Sequence, residues 1–325
     1  MELAIALALI ALGAAILVGG YRTWKLIMSR AAELAAEQEG IQVSTESLGP
    51  VGPDGLVCLF AHQFVRPAAK TPPGRDRAYA PLTDQELDPE DFALQLLYAL
   101  TAELFAEGRL DFRLVPREPT YMPPFPQKAW ELQVRQLDRL EGSPLAKAMA
   151  VAFELLTGRK RRRRARPLGD EEGWVALDDL VDRMLRAIRQ ELSFWERTGV
   201  YGDLRSYVED ALVASGYLSP PERATWLDRV KNKRPRPNVN AIEALAEEAQ
   251  ALRRRLAEFR RRHGSQEAIA GIPDDGPLPI TDVDPHLMDG NRPLGELPLD
   301  DCLRASLYEA LTALRQLEPS SDAGV

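Results

Sequence analysis

The densest like charge in the sequence is Arg159-Lys160-Arg161-Arg162-Arg163-Arg164-Ala165-Arg166, closed by Pro167. Cations packed this closely are suited to holding phosphate. The phosphate is either the backbone of nucleic acid or an anionic lipid headgroup, at about 1 kcal/mol per residue close to a bilayer. A solvated loop, neutralised in part by Asp170, Glu171 and Glu172, accounts for the same residues without a ligand. No aromatic residue interrupts the cations, so the stacking used by single-strand sites is missing.

The remaining candidates are weaker. Asp282, Asp284, His286 and Asp289 resemble a carboxylate cluster for a hard cation. Yet Gly290 falls in the wrong place and no glutamate closes the loop in the calcium-binding pattern. The histidines (His62, His263, His286) have no nearby Cys or Ser in a nucleophile elbow, and no glycine-rich phosphate loop is present. Glu103 with Glu107, and Asp178 with Asp179, read as helix-surface charge. Cys58 and Cys302 lie far apart and form neither a disulfide framework nor a metal spacing, which fits a reducing compartment. No catalytic, cofactor or metal site is therefore expected.

A different kind of site lies in a helix. Ile242, Leu245, Ala249, Leu252, Leu256 and Phe259 step by three and four, an a/d seam of about three heptads. Such a seam pairs with a partner helix, dimerises, or packs on the chain's own core, against residues 300–317 in particular. Asn240 with Glu243 is expected to cap it.

The element that organises all of these is the start of the chain. Leu3 to Gly20 carries no charge and is followed by Tyr21, Arg22, Trp24, Lys25 and Arg30. A run of about 18 to 20 apolar residues is what a helix needs to cross a bilayer core, and the flanking aromatic and basic residues suit the headgroup region. Glu2 precedes the run and the cations follow it, so the expected topology is single-pass in the cell membrane, N-terminus outside and body cytoplasmic. A cleaved signal peptide fits less well: the n-region is acidic and no small-x-small site follows.

The segments behind it suggest a mainly α chain with small β-hairpins. Residues 1–39 form the anchor and its continuing helix. Residues 40–89 form a Pro/Gly-rich linker with a short strand from Leu56 to Val65. Residues 90–230 form a helical body, 231–264 a basic linker and the heptad helix, and 265–325 a Pro-rich stretch and a last helix through Leu303, Leu307, Leu311 and Leu314.

Within the body, Asp88-Pro89-Glu90 opens a helix that Gly108 closes. Leu110, Phe112 and Leu114, then Trp130, Leu132 and Val134, alternate as strands. Helix followed by hairpin resembles a winged helix, with the helix that Asp88-Pro89-Glu90 opens and Gly108 closes in the place of the recognition helix. A second helix, through Leu204 and Leu212, ends on Gly216-Tyr217-Leu218 as the first ends on Gly108-Arg109-Leu110.

Composition bounds the function. At 325 residues with 45 % hydrophobic and 28 % charged side chains, the chain can bury a core. Its net charge of −8 excludes a surface that is wholly a nucleic-acid footprint. The expected partners are the bilayer, an anionic lipid surface, and a protein or second copy at the seam; nucleic acid ranks behind them. The expected function is a membrane-anchored interaction or scaffold protein without catalysis, with a membrane-tethered nucleic-acid-binding regulator as the alternative.

Overall fold

Asp88 fixes the start of the central helix. Its side chain accepts from the N–H groups of Glu90 and Asp91, with Pro89 at the first helical position. A computed structural model describes residues 50–69, 77–117, 130–158, 173–192, 198–220, 235–273 and 296–318, with isolated positions between 277 and 293. The expected anchor, residues 1–39, lies outside the described residues, and among them no helix is long and apolar enough to cross a membrane.

The elements in chain order begin with α1 (Pro53–Leu59) and α2 (Ala61–Phe64), then β1 (Ala78–Tyr79) and β2 (Glu86–Leu87). Next come α3 (Pro89–Ala106), β3 (Leu110–Pro116), β4 (Trp130–Gln136), α4 (Pro144–Leu156), β5 (Trp174–Ala176), α5 (Leu177–Glu191) and α6 (Val200–Ala214). The chain finishes with β6 (Leu218–Ser219), β7 (Arg236–Pro237), α7 (Val239–Glu243), α8 (Ala246–His263), α9 (Gln266–Ala270) and α10 (Leu299–Gln316). It is mainly helical with small antiparallel sheets, the coarse architecture expected from the sequence.

Helix α3 is the axle. Every residue from Asp91 to Leu104 is buried, because α1, α4, α6, α8 and α10 all pack against it. A helix enclosed on all sides loses the apolar stripe of a surface helix, and α3 accordingly carries Leu, Ala and Phe around its whole circumference. Helix α8 packs on α1, α3 and α10, so the stretches expected as separate segments share one core.

The three-stranded sheet has the order β3–β4–β5. Leu110 pairs with Gln136 and Val134 with Val175, all antiparallel. Leu132 and Val134 face the core, and the alternate positions carry Asp111, Arg113, Gln133 and Arg135 outward.

Two helices end identically. The Arg109 N–H donates to Leu104 O (2.8 Å) and that of Gly108 to Phe105 O (2.9 Å). At α6, Tyr217 donates to Leu212 O and Gly216 to Val213 O, both at 3.0 Å. This paired pattern is the Schellman motif, and the glycines supply the left-handed residue, with φ of 70° at Gly108 and 78° at Gly216. The Gly-x-Leu echo in the sequence thus has a physical basis: each turn delivers a buried leucine, Leu110 or Leu218, into a strand.

Two expectations need correction. Leu56–Val65 is not a strand but helices α1 and α2. Pro53 stands at the first helical position, and Asp54 to Leu59 are buried on all sides, so the run shows no period that separates a buried helix from a strand. The heptad helix is broken: α7 ends at Glu243 and α8 begins at Ala246. Its cap is Asn238, whose side chain accepts from Ala241 N–H, rather than Asn240.

Candidate functional site

Arg159 to Arg164 and Arg166 lie outside the described residues, as do Asp282, His286 and Asp289. What flanks the basic run is described. Helix α4 ends at Thr157 and Gly158 (φ 81°), and β5 resumes after Gly173 (φ 83°).

The seam faces inward. Ile242, Ala249, Leu252, Leu256 and Phe259 are buried, and Leu245 is half-buried at the start of α8. Phe259 meets the ring of Tyr98 edge-on at 6.3 Å and that of Phe105 at 5.8 Å. These side chains are occupied by the chain's own α3 and α10, the intramolecular alternative. A partner helix would have to displace that core. The same enclosure bears on α3, since a recognition helix must present an open face to a groove of DNA and Asp91–Leu104 present none.

The helices are held by buried ionic ties. Asp300 is fully enclosed and accepts from Tyr98 Oη at 2.6 Å and from Arg304 Nε at 2.9 Å, with Arg260 Nε at 3.6 Å. Asp301 bonds Arg304 and also accepts from Ser265 N–H at 2.7 Å, which fixes the start of α9. Burial, then the Asp300 charge, pushes the Tyr98 phenol well above its ordinary value. Glu103 is buried and accepts from Arg255 Nε at 2.8 Å, which corrects its reading as surface charge.

A second cluster joins α3, α6 and α10 where α3 begins. Glu90 lies beside Tyr201, Tyr308 and Arg315, and the Arg315 guanidinium is 5.1 Å from the Tyr201 ring centre. Burial, followed by the neighbouring Asp88, raises the Glu90 carboxyl. Tyr201 is pushed up to about 12, by burial and then by Glu90. Nearby, Asp203 accepts from Arg189 Nε at 2.6 Å and Thr198 N–H at 2.9 Å, and Arg189 also bonds Glu318.

On the outer face of the sheet, Trp174 lies between two guanidinium groups, Arg113 at 4.4 Å and Arg135 at 4.6 Å from its ring. Arg113 also donates to Gln133 and Arg135 to Asp111, so both cations are internally engaged and Trp174 is covered.

An open groove of about 730 Å³ lies between the start of α1, α4, the end of α5 and α6. Pro50, Val51, Val151 and Leu192 give it apolar walls, and Lys147, Glu191, Tyr207 and Asp210 a polar margin. Tyr207 lies near Glu191 and is pushed up to about 12, first by burial and then by the Glu191 charge. The N-terminus of α4 at one end is already satisfied: Ala146 N–H donates to Ser143 Oγ and Leu145 N–H to the buried Asp54.

Both cysteines are buried, and burial drives the thiols upward, Cys302 to about 12, away from the thiolate that reacts. Among the described residues no group of three or more His, Cys, Asp or Glu could hold a metal ion. Sequence reasoning missed the Asp300, Glu90 and Asp203 clusters. The only local signal was an acidic residue at the start of an amphipathic helix, which reads as dipole compensation.

Compared with protein-family models, curated proteins and solved structures, the chain matches none.

Proposed function

We propose that the chain is a single-pass membrane protein with its N-terminus outside and its helical body in the cytoplasm, acting as an interaction or scaffold protein without catalysis. The observation that carries this reading is the uncharged run Leu3–Gly20 with Tyr21, Arg22, Trp24, Lys25 and Arg30 behind it. The body supports it in a second way. Its ionic clusters at Asp300, Glu90 and Asp203 join helices to one another, and none of these three residues lines the groove. Within this reading Arg159–Arg166 meet anionic headgroups. The helix-then-hairpin order of α3–β3–β4 and α6–β6–β7 is what supports reading the body as winged-helix-like.

Alkaline carbonate extraction of membranes from cells making the full chain is the test. The chain is expected to stay in the pellet, and a variant lacking residues 3–20 to leave it. Release of the full chain by carbonate would sink the anchor. A thiol introduced at Glu258, labelled by an impermeant reagent in intact cells, would reverse the orientation.

A further inference from the structure

The exposed face of α4 carries two large apolar side chains one turn apart, Val151 and Leu155, each 45 % exposed. With Lys147 they form an i, i+4, i+8 stripe, which Glu154 borders. Most of the remaining helix is consumed by the core: Leu145, Met149, Ala152, Phe153 and Leu156 are buried. Scattered exposed apolar residues need no explanation. These two differ in where they sit. Leu155 stands four positions before Arg159, the first of the seven cations. At the other end, Lys147 and Val151 line the same groove as Pro50 and Val51.

We infer that this stripe of α4 rests on the surface of an anionic bilayer, with Val151 and Leu155 in the interfacial layer. The inference rests on the anchored reading above and adds which face of the body meets the lipid. Two chemistries compete for a basic segment, and the stripe separates them. Nucleic acid offers phosphate but no apolar phase in which an aliphatic pair gains anything. A bilayer offers both, and apolar side chains beside clustered cations are what an interfacial helix presents to it. Charge complementarity with anionic headgroups therefore accounts for the cations and the aliphatic pair together.

The test uses the full chain in vesicles. Cys58 and Cys302 are buried, so a single thiol introduced as Leu155→Cys takes an environment-sensitive fluorophore, and Glu258→Cys on the outer face of α8 gives the comparison. The probes are vesicles of phosphatidylcholine alone or with phosphatidylglycerol, each with and without a shallow nitroxide-labelled lipid. In anionic vesicles the label at 155 is expected to be quenched at least twofold more than the label at 258, and to lose that excess in neutral vesicles or high salt. Adding Val151→Glu, with the label moved to Lys147→Cys, should cut the quenching several-fold while circular dichroism is unchanged. Equal quenching at 155 and 258 overturns the inference, as does loss of the excess when duplex DNA is added. Failure of the anchored reading is distinct: the chain would not float with vesicles of either composition.

Discussion

Tyr98 donates its hydroxyl to Asp300 at 2.6 Å across 202 positions of sequence, and both groups are fully enclosed. The bond joins the middle of α3 to the first turn of α10. It works because Asp300 is simultaneously the counter-charge of Arg304 and of Arg260, which is only 2 % exposed. Taking one partner from a buried ion pair costs far more than the pair contributes, because the remaining charge stays desolvated.

Asp300→Ala is therefore expected to lower unfolding stability by about 3 to 5 kcal/mol, and Tyr98→Phe by about 1 kcal/mol. Their effects should not add, since Tyr98 has already lost its acceptor in the first variant. Urea titrations of the detergent-solubilised chain and its single and double variants measure this. A loss under about 1 kcal/mol for Asp300→Ala would show that the cluster is not a closed ionic tie.

Asp54 predicts a dependence on pH. Burial raises its carboxyl above the ordinary value, although the N–H of Leu145, Ser143 and other hydrogen bonds pull it down. The folded chain then holds a proton that the unfolded chain releases. That contribution is fully present below the unfolded value near 3.8 and is lost as pH rises through the folded value. Asp54→Asn copies the protonated form and keeps an oxygen for Leu145 N–H. Its stability relative to the parent should be highest at pH 8 and fall towards zero difference near pH 4. Chemical denaturation of both proteins across that range decides it, and a variant that is weaker by the same margin at every pH would refute the raised carboxyl.

Local chemistry made much of this fold readable. Asp88-Pro89 set the start of α3, Gly108, Gly158 and Gly216 set helix ends in the left-handed region, and alternation marked β3 and β4. Signals of this kind are complete within a few residues. Tertiary enclosure is not. Leu56–Ala61 shows no period because it is buried on every side. Glu103 read as surface because its partner, Arg255, lies 152 positions away. The seam was legible as apolar spacing, but spacing alone does not say whether the helix that fills it belongs to the same chain.

The two Schellman turns are expected to respond alike to substitution. Gly108 has no atom within 4 Å of the place where a Cβ would stand, so Gly108→Ala costs only the left-handed backbone, about 1 to 2 kcal/mol. Gly216→Ala should fall in the same range. Gly271 makes the comparison: its φ is −81° and the nearest atom to an added Cβ is at 3.6 Å, so alanine there should be neutral. Thermal denaturation of the three variants tests this, and equal losses at all three would remove the conformational explanation.

The seam gives the last prediction. Leu252 and Leu256 are buried against the chain's own helices, so each truncation to alanine should behave as a core deletion. The expected loss is about 2 to 5 kcal/mol per site. A partner-binding seam predicts the reverse: little change in the stability of the body and a clear change in association. The two are separated by measuring urea midpoints and sedimentation on the same samples. If Leu256→Ala leaves the midpoint in place but shifts a dimer to monomer, α8 docks on a second chain. If the midpoint falls and the sedimentation coefficient of the folded protein stays the same, the heptad pattern is the footprint of α3 and α10, and partners must be sought on the outer faces of the body.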